Sequence, residues 1–206
     1  MLYYEAIDSP TLALLRSLME APEFRQLNLA GGTSLALQIG HRKSIDIDLF
    51  GTFEMDDYQF STTLKQFESV IQLYNSKNIK SYVINQVKVD FVNYPYPWIE
   101  PELLVGQIRL ADKRDIAAMK LAAIAGRGTK KDFIDIFSLL AFYSLEQMLE
   151  FYLQKFSDGS AFMVIKSLTY FKDAEKDESP FLLHDIHWET VKSTLVSETR
   201  NYIDSR

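Results

Sequence analysis

Apolar and polar positions along the chain follow two rhythms, and the change between them falls near residue 95. Leu12, Leu15, Leu18 and Met19 recur at helical spacing behind Ser9-Pro10, which reads as a serine cap with proline at the first helical position. A helix is therefore expected from there to about residue 20, closed by Pro22. Leu27–Ala30 is a short apolar run of the kind that forms a buried strand. Gly31-Gly32 reads as a turn, Thr33 to about Ile39 as a helix, and Gly40 as its C-cap. From Ser44 to Phe50 the rhythm becomes period two, which in an extended chain sends Ser44, Asp46 and Asp48 to one face and Ile45, Ile47 and Leu49 to the other. Phe60, Leu64, Phe67 and Ile71 predict a helix from Gln59 to about Tyr74. Ile79–Asn85 and Gln86–Tyr94 read as two strands that could form a hairpin, although no Asn-Gly turn marks the join.

Beyond Pro95 and Pro97 the spacing turns helical. Helices are expected at Asp115–Ala125, Lys130–Phe142, Ser144–Phe156, Ala161–Phe171 and Trp188–Ile203, with Asp173–Ser179 as a charged connector. The expected organisation is an α/β (α+β) class chain, with a mixed-sheet core over residues 1–98 and a helical domain over 99–206. A length of 206 residues accommodates one large domain or two small ones, and a hydrophobic share of 47% is ordinary for a packed interior. No apolar run approaches the ~20 residues of a membrane helix, and no basic, apolar leader opens the chain. The absence of cysteine removes disulfides and thiolate metal sites and suits a cytoplasmic setting. A net charge of −6 argues against a surface that coats nucleic acid broadly, though a local basic patch is compatible with it.

The chemistry concentrates around residues 30–50. Two carboxylates on one strand face, Asp46 and Asp48, repel unless a cation sits between them, and oxygen ligands favour a hard ion such as Mg²⁺. Gly31 and Gly32 let backbone approach a phosphate closely, N–H groups at the start of the following helix can bind it, and Ser34 could add a hydroxyl. The plain alternative is a tight turn followed by a half-exposed acidic strand. Gly-Gly and Asp-x-Asp are each short patterns; their order within one strand–turn–helix–strand unit is the stronger signal. Arg42 could bind phosphate, or pair with Asp46 or Asp48 and hold the loop. His41, His184 and His187 form no convincing metal set. Tyr94, Tyr96 and Trp98 could offer a base-stacking ledge, with core or hinge packing as the other use.

Gly31-Gly32-Thr33-Ser34 followed by Arg42-x-Ser44-x-Asp46-x-Asp48-Leu49 resembles the nucleotidyltransferase superfamily related to DNA polymerase β. More narrowly, it is similar to the AbiEii/AbiGii abortive-infection toxins, over roughly residues 27 to 145. The resemblance implies a third metal-site carboxylate on a nearby strand, and Asp90 in Val87-Lys88-Val89-Asp90-Phe91 matches; an edge-strand charge paired with Lys88 is the alternative. It also implies that Lys120 contacts the triphosphate, and that Asp132 completes the catalytic site or orients that lysine. Lys120 lies seven residues before Arg127, and Asp132 and Asp135 share a helix face. Cap and salt-bridge chemistry is the alternative for these, with Asp135 tying the helices together through Arg127 or another cation.

The expected site is thus Gly31, Gly32, Thr33 and Ser34 with Lys120 and Arg127 for the nucleotide, and Asp46, Asp48 and Asp90 for Mg²⁺ or Mn²⁺. The resemblance implies transfer of a nucleoside monophosphate from an NTP to RNA, the tRNA 3′ end leading, in a bacterial toxin with a cognate antitoxin and no membrane association. Clustering of Lys113, Arg114, Lys120, Arg127, Lys130 and Lys131 favours RNA over the alternative acceptor, a protein side-chain hydroxyl taking AMP. A catalytically silent nucleotide-binding protein of the same fold is a further alternative, weakened by the presence of Asp46, Asp48 and Lys120.

Overall fold

The computed structural model describes residues 2–54 and 56–206, which divide into two compact units. The first comprises Met1–Pro95 with Glu102–Ala111, and the second Tyr96–Pro101 with Asp112–Arg206. The chain therefore passes between units three times, after Pro95, Pro101 and Ala111.

In the first unit, α1 (Ser9–Glu20), β1 (Leu27–Leu29), α2 (Gly31–Ile39), β2 (Ile47–Gly51) and α3 (Asp57–Leu64) precede β3 (Val70–Asn75), β4 (Ile79–Ile84) and β5 (Val87–Asn93). The short strands β6 (Leu103–Val105) and β7 (Ile108–Leu110) complete a mixed seven-stranded sheet in the order β3-β4-β5-β2-β1-β7-β6. β2 runs antiparallel to β1 and parallel to β5, and β1 pairs in parallel with β7. Leu27, Leu29, Ile47, Leu49, Val89 and Phe91 are buried from the central strands, against Leu15 and Leu18 of α1 and Phe60 and Leu64 of α3 in one hydrophobic core. The second unit is helical: α4 (Lys113–Gly126), α5 (Lys130–Leu139), α6 (Leu145–Lys155), α7 (Ala161–Ser167) and α8 (Trp188–Asp204). α4 packs against α5, α6 and α7, and α8 against α5 and α6.

Several expected elements differ in type or extent. The cap of α1 is Asp8, whose carboxylate accepts from Thr11 N at 2.7 Å; Ser9 and Pro10 are already helical. The helix expected over Gln59–Tyr74 ends at Leu64, and Val70–Asn75 is instead a strand at the sheet edge, exposed throughout. Phe60 and Leu64 do fill the core from α3, whereas Ile71 belongs to β3. The strand expected from Ser44 begins only at Ile47. The β4–β5 hairpin closes on Asn85 and Gln86 with φ of 48° and 70°, two consecutive left-handed residues that give the twist such a turn needs without glycine.

The β6–β7 hairpin was not visible in the hydrophobic pattern. Gly106, at φ 61°, lies in the turn between its strands. Arg109 fastens it by donating to the carbonyls of Leu27 (3.0 Å), Met19 (3.0 Å) and Phe24 (3.1 Å).

In the second unit, the segment before α4 is held by a buried ion pair. Lys155 Nζ meets Asp115 Oδ1 at 2.6 Å, donates to the carbonyl of Pro97 at 2.8 Å and lies 4.5 Å from the Trp98 ring centre. Asp115 also accepts the amides of Ile99 and Glu100, so each buried charge has several partners. Tyr96 packs edge-on against Phe156, and in the first unit Tyr94 packs edge-on against Phe50. These contacts make packing the observed use of the aromatic trio.

Candidate active site

The first-unit residues converge because β2 and β5 are parallel neighbours in a register that sets Asp48 directly opposite Asp90. Paired residues on adjacent strands point to the same sheet face, so both half-buried carboxylates share it. Ile47, Leu49, Val89 and Phe91 alternate with them and are buried on the other face. Asp46 lies one residue ahead of β2 and is also half-buried.

Gly31 opens α2 in the left-handed region, at φ 65°, and a Cβ placed on it would stand 2.6 Å from Asp48 Oδ2. Close passage of the turn past a carboxylate is what requires glycine here. A Cβ on Gly32 would collide with Nη2 of the buried Arg42, whose Nη1 donates to the Lys43 carbonyl at 3.1 Å. Both glycines are half-exposed at the first turn of α2, where backbone N–H groups lack intrahelical acceptors. The Thr33 hydroxyl hydrogen-bonds Ser44 Oγ at 2.8 Å and donates to the Asp46 carbonyl. Gln38 Nε2 reaches Ser34 Oγ at 3.2 Å and the Ala111 carbonyl at 3.0 Å. Thr33 and Ser34 are fully buried, and their hydroxyls fasten the loop to its surroundings.

A cation already stands beside these carboxylates. Lys88 Nζ lies 2.6 Å from Asp90 Oδ2, and Ser81 Oγ donates to Asp90 Oδ1. Partial burial pulls the Lys88 ammonium down. The hydrogen bond it donates to Asp90 and the fields of Asp90, Asp48 and Asp46 outweigh that and leave it above the ordinary lysine value. Lys88 thus registers all three carboxylates at once.

Among the described residues, no group of three or more carboxylate or imidazole side chains is drawn tightly enough to cage a metal. Mg²⁺ does not ask for such a cage; it usually takes one or two carboxylates and completes its shell with water and substrate phosphate. The facing pair Asp48 and Asp90 fits that demand.

Lys120, Arg127, Asp132 and Asp135 belong to the second unit. Lys120 is buried and its Nζ is shared by Asp132 Oδ1 (2.9 Å) and Asp135 Oδ2 (2.6 Å). Asp132 Oδ2 accepts from the Thr129 hydroxyl at 2.6 Å and from Arg127 Nε at 3.3 Å. Burial pushes the Asp132 carboxyl up, but Lys120, Thr129 and Arg127 together hold it below the usual aspartate range. Asp132 and Asp135 thus share Lys120 as a cation, and Arg127 adds a second cation beside Asp132. The cluster of six basic residues is thinner than its sequence suggests. Lys120 and Lys130 are buried, the latter donating to the Asp177 carbonyl, and Arg114 pairs with Glu100.

Residues 13–205 match the family described as the nucleotidyl transferase AbiEii toxin of type IV toxin–antitoxin systems. The chain belongs to this family. It is a nucleotidyltransferase. An uncharacterised Aquifex aeolicus protein, aq_aa25, is 34% identical over 186 residues, covering 86% of this chain and 88% of that one. Two Helicobacter pylori structures share the fold at 16% identity. JHP933 has a TM-score of 0.60 over 94% of this chain and 92% of its own. A proposed nucleotidyltransferase has a TM-score of 0.62 over 94% of each. No helix among the described residues is long and apolar enough to cross a membrane.

Proposed function

We propose that this chain transfers a nucleoside monophosphate from an NTP to a hydroxyl of RNA, the tRNA 3′ end being the leading acceptor, and that an antitoxin counters it. The observation that carries the reading is the register of β2 and β5, which faces Asp48 with Asp90 beside the Gly31 turn. In this reading the acceptor hydroxyl oxygen attacks the α-phosphorus, its proton is taken up, and pyrophosphate leaves. The Gly31 and Gly32 amides hold phosphate oxygens, because N–H groups at a helix start are ready donors to an anion. Asp46, Asp48 and Asp90 are the proposed ligands of Mg²⁺ or Mn²⁺, which when bound neutralises phosphate charge and orients the reactants. Asp90 is the carboxylate proposed to draw the proton from the acceptor, and its bonds to Lys88 and Ser81 support a fixed orientation. Lys120 is assigned to phosphate charge by family resemblance, and its anchoring by Asp132 and Asp135 supports a lysine held in one place.

The test incubates the wild-type chain with Mg²⁺, each labelled NTP in turn, and total RNA or protein. Labelled RNA from wild type and none from Asp48→Ala is the expected result. Label on protein alone would move the acceptor to a side-chain hydroxyl. Absence of label with every NTP, or equal labelling by Asp48→Ala, would remove the catalytic reading.

A further inference from the structure

The strand β3 ends the sheet with one edge unpaired by any other strand of the described chain. All six of its residues are exposed, and four are large and apolar: Val70, Ile71, Leu73 and Tyr74. A free edge with apolar side chains is a template for another strand, and proteins ordinarily blunt such edges with charge, with proline or with a bulge that twists the edge away. Here the six strand positions carry no charge and no proline. The nearest exposed charges bracket the strand with opposite signs, Glu68 before it and Lys77 after it.

That sign pattern selects the partner. In an antiparallel pairing of β3 with itself, the start of each strand lies beside the end of the other. Glu68 then falls beside Lys77 of the second copy, and Lys77 beside Glu68, at the two ends of the interface. A parallel pairing would set like beside like. We infer that β3 is the edge through which two copies of this chain associate, forming a sheet continuous across a two-fold axis with paired charges at both ends. The bulge opposite β4 between Gln72 and Tyr74 sits mid-strand, where it increases local twist without placing a charge or proline on the edge.

Sedimentation velocity of the full chain from low to high micromolar concentration tests the inference, alone and with the variants Glu68→Lys, Lys77→Glu and the double reversal. Wild type is expected to dimerise with rising concentration. Each single reversal should weaken the dimer about tenfold, since two symmetry-related pairs swing from attraction to repulsion. The double reversal should restore it, and the gap between single and double should shrink in high salt. Both positions, Glu68 and Lys77, are exposed in the folded chain, so circular dichroism should be unchanged. A wild type that stays monomeric overturns the proposal. So do single reversals that dimerise normally, or a double reversal that stays weak. Protection of β3 amides from exchange only when RNA or a second protein is added assigns the edge to that occupant instead.

Discussion

Replacing Gly31 by alanine separates the cost of a left-handed residue from the cost of crowding Asp48. Gly31 and Gly106 have nearly the same φ, 65° and 61°, but an added Cβ at Gly106 meets nothing within 4 Å, whereas at Gly31 it stands 2.6 Å from Asp48 Oδ2. Alanine at either position should destabilise by about 1–2 kcal/mol through backbone conformation alone. For a chain of this size that corresponds to a fall in Tm of roughly 2–8 °C. Gly31→Ala must in addition drive the Asp48 carboxylate back by roughly 0.8 Å to recover an ordinary 3.4 Å contact. A displacement of that order in a reacting site costs on the order of 100-fold in rate. The assay is NTP-dependent labelling of RNA alongside thermal unfolding for both variants. Gly106→Ala should label like wild type, and Gly31→Ala should lose most of its activity at a similar Tm. Wild-type labelling by folded Gly31→Ala would refute the claim that close passage of this turn past Asp48 matters to the chemistry.

Other outcomes are as specific. Asp90→Asn should fold normally and lower labelling by roughly 100-fold or more, removing a charge that the proposed metal and proton transfer both use. Lys88→Met removes the cation next to Asp90 and within the fields of Asp46 and Asp48, so titration calorimetry should show tighter Mn²⁺ binding and scanning calorimetry a lower Tm without metal. Asp132 is held below its ordinary value when folded. Its stabilising contribution is therefore complete above the unfolded carboxyl value of about 4 and is lost as pH falls through the lower folded value. Tm measured from pH 6 down to pH 2 should fall less steeply in Asp132→Asn than in wild type. Lys155→Met leaves Asp115 buried without its cation and should cost about 3–5 kcal/mol in denaturant unfolding.

What the sequence made legible was the local part of the site. Gly31-Gly32, Asp48 and Asp90 stood out because residue type and period two both constrain them, and the structure places them on one turn and two facing strands. Their pairing across β2 and β5 is a long-range register that no local pattern contains. The pattern predicts helix through β3 because Phe60, Leu64, Phe67 and Ile71 keep helical spacing, although Ile71 lies on an exposed strand and not against the core. A strand exposed along its whole length has no buried face to impose alternation. β6 and β7 escaped notice because three-residue strands are too short to show any period, and Arg109 holds them through carbonyls 82 to 90 residues away in sequence. The partners of Lys120 and Asp135 were likewise a matter of tertiary geometry: four residues could have paired in several ways, and the structure chose Lys120 for both aspartates.

The chain's three passages between units have a consequence for what can be separated. Because Tyr96–Pro101 belongs with the helices while Glu102–Ala111 belongs with the sheet, no single cut yields one complete unit and one complete remainder. A break near residue 98 leaves the N-terminal fragment with β1 lacking β7 and with Pro97 lacking Lys155. The segments of the two units therefore alternate along the chain. A single crossover in the coding sequence can carry away one unit whole only by taking a piece of the other with it.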